Sequence, residues 1–177
     1  EKKIGETLDE IIKNAPGRII IAAFAALIGR IQSIMNLSAK YDRKIFLSGR
    51  SMNDNVAIAR TLQYIKTPPN LVFPIDKIGR TQDEKTLILT TGAQGEAYSA
   101  LTRMAMGDHA SVSIKKGDTV VISSSPIPGN ERAIYTTINN LIRLGAKVIF
   151  HQVMDVHTSG HANQEDLKLM MSLVRPK

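Results

Sequence analysis

Four short segments carry residue types that handle phosphates. In Thr90-Thr91-Gly92-Ala93-Gln94-Gly95-Glu96, the glycines let backbone N–H groups approach a ligand, as in a phosphate cradle. The same glycines suit a tight strand-to-helix turn that needs positive φ. Glu96 would repel a phosphate, so a capping or positioning role fits that carboxylate better. In Ser123-Ser124-Ser125-Pro126-Ile127-Pro128-Gly129-Asn130-Glu131, hydroxyls lead into prolines, a glycine and an Asn at an N-cap position. That pattern makes a rigid loop over a helix amino terminus, where the dipole and free N–H groups favour anions. No G-x-S-x-G surrounds these serines, which argues against a catalytic serine.

The third segment runs from His151 to Ala162 and holds His151, Asp155, His157 and His161. Its spacing matches neither H-E-x-x-H nor a zinc-finger pattern, so a self-contained zinc site is not expected. His157 and His161 can share a loop after a strand, where an imidazole donates to a phosphate or serves as an acid. Either histidine can equally cap a helix or complete the core. The fourth segment, Ser48-Gly49-Arg50-Ser51-Met52, offers an Arg for bidentate phosphate contact or simply an exposed helix start.

Alternating short apolar runs and amphipathic stretches must position these segments. Strands are expected at Arg18–Phe24, Lys44–Ser48, Thr86–Thr90, Thr119–Ser123 and Lys147–His151, each uninterruptedly apolar as in strands buried on both faces. Helices are expected at about Ala26–Lys40, Met52–Tyr64, Ala97–Met106, Glu131–Leu144 and Gln164–Val174, with Gly145 as a C-terminal cap. The βαβα order predicts an α/β fold with a mainly parallel, doubly wound, Rossmann-like sheet flanked by helices on both faces. Ligands in such sheets bind beyond the carboxyl ends of the strands. Outside the pattern, the proline-bearing Lys66–Asp76 region reads as a loop with a short edge strand. Lys3–Asn14 reads as a lead-in helix ending at Pro16-Gly17.

The length of 177 residues fits one domain spanning 1–177, and 43% apolar against 22% charged residues is an ordinary globular composition. No apolar stretch reaches a bilayer span and no signal peptide opens the chain, so a cytoplasmic protein without membrane contact is expected. The absence of cysteine excludes disulfides, thiolate metal sites and thiol nucleophiles. Few aromatics and no Trp argue against a base-stacking platform. The net charge of +7 is unevenly spread: −1 over residues 1–16, +7 over 17–80 and +1 over 81–177. Arg30, Lys40, Arg43, Lys44, Arg50, Arg60, Lys66, Lys77 and Arg80 would attract a polyanion if they converge after folding, and otherwise are scattered solvated cations.

Taken together, the segments resemble the β-CASP domain of ribonuclease J, an insert in a metallo-β-lactamase-fold nuclease. The resemblance runs over nearly the whole chain. It rests on Gly17-Arg18-Ile19-Ile20-Ile21-Ala22 with Phe24-Ala25 and Arg30-Ile31-Gln32, and on Ser48-Gly49-Arg50-Ser51-Met52. It rests further on Thr90-Thr91-Gly92 with Gln94-Gly95-Glu96, on Ser125–Glu131, and on His157-Thr158-Ser159-Gly160-His161-Ala162. It implies a zinc-dependent endo- and 5′-to-3′ exoribonuclease that processes and degrades RNA. Two zinc ions on the β-lactamase domain activate water there, and this domain clamps single-stranded RNA over them.

The chain lacks H-x-H-x-D-H, so the resemblance implies that it binds no metal itself and is inactive alone. It implies an insert excised from a longer protein, with a Val-His-Gly-Glu-like motif shortly beyond Pro176. The partners implied are RNA, the β-lactamase domain of the same chain and a second copy of the full-length protein. His161 matches the family's histidine directed at the scissile phosphate. Ser159, Gly160 and Ala162 match the pocket for an RNA 5′-monophosphate, which His157, Arg50, Ser48, Gly92, Gln94, Gly95, Glu96 and Ser125 extend.

The chain departs from the family at two places. Relatives read Phe-Ala-Ser-Asn-x-His where it has Phe24-Ala25-Ala26-Leu27-Ile28-Gly29, and Gly-Ser-Gln-Gly-Glu where it has Gly92-Ala93-Gln94-Gly95-Glu96. Each lost donor to a phosphate costs about 1–3 kcal/mol, which predicts weakened discrimination for a 5′-phosphorylated end. The competing readings are a free-standing nucleotide- or phosphosugar-binding α/β module and a structural interaction domain.

Overall fold

The apolar runs of the sequence become the rungs of one parallel sheet. The computed structural model describes residues 2–154, 156 and 162–175. Its strands are β1 (Ile19–Ala22), β2 (Lys44–Ser48), β3 (Val72–Phe73), β4 (Thr86–Thr90), β5 (Thr119–Ile122) and β6 (Lys147–Ile149). They stand in the order β3-β2-β4-β1-β5-β6, with every neighbouring pair parallel. The helices are α1 (Lys2–Asn14), α2 (Ile28–Lys40), α3 (Arg50–Thr61), α4 (Ala100–Met106), α5 (Glu131–Arg143) and α6 (Gln164–Val174).

Because successive strand residues point to opposite faces, the core divides in two. Ile19, Ile21, Ile45, Leu47, Leu87 and Leu89 meet α1, α2 and α3 on one face. Ile20, Ala22, Phe46, Ile88, Val120 and Ile122 meet α4 and α5 on the other. The helices that cover the sheet bury residues three or four apart, as in Ile31, Ile34, Met35 and Ser38 of α2 or Ile134, Thr137, Ile138 and Leu141 of α5. The sheet is therefore doubly wound, as the order of apolar runs predicts.

Several boundaries move for identifiable reasons. α4 starts at Ala100 rather than Ala97 because the Ser99 hydroxyl accepts from Thr102 N and caps it there. α3 starts at Arg50, two residues earlier than expected, and ends at Thr61 rather than Tyr64. Gly145 has φ of +90° just after α5, as a C-terminal cap requires. Asn130 is placed for capping α5, yet its side chain makes no capping hydrogen bond. Ile75–Arg80 and Asp83–Lys85 form 3₁₀ turns, whose three-residue period an α-helical template misses.

The cations of residues 17–80 do not all gather on one face, because several are buried or held in pairs. Arg30 and Arg43 are buried. Arg43 donates to the carbonyls of Gly17 at 2.8 Å and Ala15 at 2.5 Å, neutralising orphan groups just past the end of α1. Lys40 is held by Asp9 at 2.7 Å. Lys44 opens β2 while Arg50 follows its other end, so those two charges lie at opposite edges of the sheet. Arg18, also buried, forms a two-pronged pair with Asp118 at 2.9 and 2.6 Å, joining the amino ends of β1 and β5. Among the described residues, no helix is long and apolar enough to cross a membrane.

Candidate functional site

Level strand ends build one rim. The register pairs Ser48 with Thr90, Thr90 with Ala22, and Ala22 with Ile122. The loops after β2, β4, β1 and β5 therefore leave the sheet at one height, the edge where a doubly wound sheet receives ligands.

After β2, Ser48 is buried and its hydroxyl lies 2.9 Å from His109 Nε2. Gly49 takes φ of +98°, and a Cβ there would meet Thr91 Oγ1 at 2.4 Å, so only glycine fits this exit. Arg50 begins α3, exposed on the rim, and its side chain makes no hydrogen bond or ion pair among the described residues. Its guanidinium is free to meet an anion.

After β4, the glycines serve close packing. A Cβ on Gly92 would meet Ser99 Oγ at 2.4 Å, and one on Gly95 would meet the Ala133 and Ile134 backbone at 2.6 Å. Gln94 is buried and ties this loop to the next one. Its Nε2 donates to Ser125 O at 2.8 Å and Ser124 Oγ at 3.1 Å, while Oε1 accepts from Ile127 N at 2.8 Å. Glu96 is exposed and accepts from Gln94 N at 3.1 Å, which is the positioning role its charge suggests. Ala93 faces the α4–α5 core with 2% exposure. A hydroxyl at that position would point away from the rim, so Ala93 does not by itself remove a phosphate donor.

After β5, Ser125 and Pro126 are half-buried while Ile127, Pro128 and Gly129 are exposed beside the uncapped amino end of α5. Behind them, Arg30 reaches from α2 to Ser123 O at 3.1 Å. Ser123 in turn donates to Val156 O at 2.7 Å. This buried chain fixes where the segment beyond β6 leaves the core. His157, Ser159, Gly160 and His161 lie outside the described residues, and Ala162 is exposed. At the family's histidine position, Gly29 has open space where a Cβ would stand and borders a cavity of about 270 Å³ with Leu27, Arg30 and Ser33.

His109 is the rim residue that sequence reasoning missed. It lies 61 residues from Ser48, and nothing in its own neighbourhood marks it. Burial and the nearby Arg103 guanidinium both hold its pKa below the ordinary imidazole value. Among the described residues, no three His, Cys, Asp or Glu side chains are grouped to hold a metal. The donor set of the described residues does not fit a zinc pair.

A parallel sheet with helices on both faces and its strand exits levelled on one rim defines a doubly wound α/β domain. Sequence comparison narrows this. The family described as "Ribonuclease J, beta-CASP domain" matches residues 16–141. Ribonuclease J of Thermus thermophilus is 45% identical over all 177 residues, which cover 31% of that protein. Ribonuclease J of Synechocystis sp. is 43% identical over the same span, covering 28% of it. Ribonuclease J2 of Bacillus subtilis is 41% identical, covering 32%. The chain thus spans about three tenths of the length of these relatives, and it belongs to the ribonuclease J β-CASP family.

Proposed function

We propose that this chain is the single RNA-clamping domain of a zinc-dependent ribonuclease acting endo- and 5′-to-3′ exonucleolytically in cytoplasmic RNA processing and decay. Identity of 38–45% to proteins named Ribonuclease J, over the whole chain, carries the reading. Arg50 on the rim supports backbone-phosphate contact, and His161 is assigned to the scissile phosphate as the resemblance implies. Catalysis belongs to the β-lactamase domain of the same polypeptide and its two zinc ions, so the chain alone is inactive. The full-length protein assembles as a homo-oligomer.

The last helix supports a partner domain. Every residue of α6 is exposed, including Leu167, Leu169, Met170, Met171, Leu173 and Val174. At ~100° per residue these six sweep an arc of roughly 200°, wider than a helix lying on a surface needs. Such a helix requires covering from more than one side.

The test uses the full-length protein and a 5′-labelled single-stranded RNA. Wild type cleaves it, the 177-residue chain alone does not, and H161A loses most of the rate while still binding RNA. Cleavage by the chain alone, or full activity in H161A, overturns the assignment.

A further inference from the structure

We propose that His109 is a positioning residue for RNA binding: as a neutral imidazole it locks the exit of β2 and so sets where Arg50 stands on the rim. The inference rests on the reading of that rim as an RNA backbone contact.

Both ring nitrogens are committed, and the commitments fix the proton. Nδ1 lies 3.2 Å from Ser111 N and 3.1 Å from Val112 N. Both are backbone donors, so Nδ1 presents its lone pair and the ring proton sits on Nε2. Nε2 therefore donates to Ser48 Oγ across 2.9 Å. With its basic lone pair turned away from the hydroxyl, His109 cannot act as a base toward Ser48. The pair is a latch and not a nucleophile with its base.

The latch sits beside a permissive joint. Ser48 ends β2, and Gly49 at φ +98° has no side chain to fix the turn. Arg50 opens α3, whose Met52 is anchored in the core. Gly49 packs against Thr91 and its carbonyl accepts from Asn53 N and Nδ2, so the Ser48 hydroxyl is one of several anchors behind Arg50 and the one that His109 controls. Removing that anchor loosens the exit and shifts the guanidinium. Protonation of His109 would have the same effect, because an Nδ1–H would face two N–H groups. The charged group acting on the ring is Arg103 of α4, whose Nε is 3.9 Å from the Asp108 carboxylate and whose Nη2 donates to Asp108 O. It too disfavours the imidazolium.

The experiment compares wild type, H109A, H109Q, S48A, R50A and the double variant H109A/R50A in the full-length protein. It reads single-stranded RNA affinity, KM and kcat, with thermal melts run alongside. Loss of one neutral hydrogen bond corresponds to about threefold to tenfold. H109A is expected to weaken RNA affinity and raise KM by that factor, with kcat little changed, and S48A to weaken affinity by at least as much. H109Q, whose side-chain amide can donate to Ser48, restores most of the affinity. In the R50A background, H109A costs nothing further. Below neutral pH, wild type loses affinity relative to H109Q. If wild type shows no salt-dependent RNA binding, the RNA reading fails and this inference with it. If wild type binds RNA but H109A weakens it equally with and without Arg50, or H109Q is no better than H109A, only the His109 assignment falls. Should H109A not fold, S48A and H109Q against R50A decide the matter in the same way.

Discussion

Replacing Gln94 by Ala removes the side chain that makes three of the hydrogen bonds between the loops after β4 and β5. Gln94 is 3% exposed and makes three hydrogen bonds, to Ser125 O, Ser124 Oγ and Ile127 N. At about 0.5–1.5 kcal/mol each, their sum is roughly 1.5–4.5 kcal/mol. Two partners can recover part of this. Ser124 Oγ keeps its bond to Ala93 O at 2.7 Å, and Ile127 is 51% exposed, so its N–H can turn to water. The net expectation is a loss of about 2–3 kcal/mol, or roughly 4–12 °C in Tm for a chain of this size.

Urea unfolding followed by far-UV circular dichroism reads the change as a lower midpoint at unchanged m. Gln94→Glu sharpens the test. Its carboxylate would face the Ser125 carbonyl, so ionisation is disfavoured in the fold and the folded pKa rises above the unfolded value. Its acid form, which can donate to that carbonyl, is stable below the unfolded pKa and loses this advantage as pH rises through the folded one. Q94E should therefore be less stable than Q94A at pH 8 and gain on it in acid. A Q94A variant within 0.5 kcal/mol of wild type, or a Q94E variant without that pH trend, would refute the bridging role.

Asp118→Ala leaves the buried Arg18 without its counter-ion, with only the Ser113 carbonyl still accepting from it, and should cost about 3–5 kcal/mol, whereas Arg18→Met with Asp118→Leu together should cost less than either single change; denaturant titration of the four proteins checks this. Gly95→Ala forces a Cβ to within 2.6 Å of the Ala133 and Ile134 backbone. It should destabilise far more than Gly107→Ala, which has a similar φ of +76° and nothing within 4 Å and should cost about 1–2 kcal/mol, a difference that paired thermal melts resolve. The depressed His109 pKa means that its contribution to stability is fully present above the ordinary value of 6.5 and declines as pH falls toward the folded value. Wild type should thus lose urea resistance from pH 7 to 5 more steeply than H109Q.

What was legible in the sequence is what depends on short-range pattern. β2 and β4 fall at Lys44–Ser48 and Thr86–Thr90, and α6 at Gln164–Val174, as the apolar spacing implies, because each stretch has one periodicity and clear ends. The rim followed too, since a parallel sheet puts every strand exit on one edge. Illegible were the pairings across the chain. Arg30 and Arg43 read as surface cations, yet their partners are carbonyls 93, 26 and 28 residues away, which no local window contains. Gln94 read as a phosphate donor, and its amide is spent 30–33 residues away on the neighbouring loop. His109 carried no motif at all.

The most direct test of the RNA-clamping rim is equilibrium binding of single-stranded RNA to this chain across a potassium chloride series, with and without R50A. Log affinity should fall linearly with log salt, by about 0.7 for each phosphate neutralised, and R50A should flatten the slope by about one such step. Affinity that ignores salt, a slope R50A leaves untouched, or full displacement of the RNA by a mononucleotide at comparable concentration would contradict it.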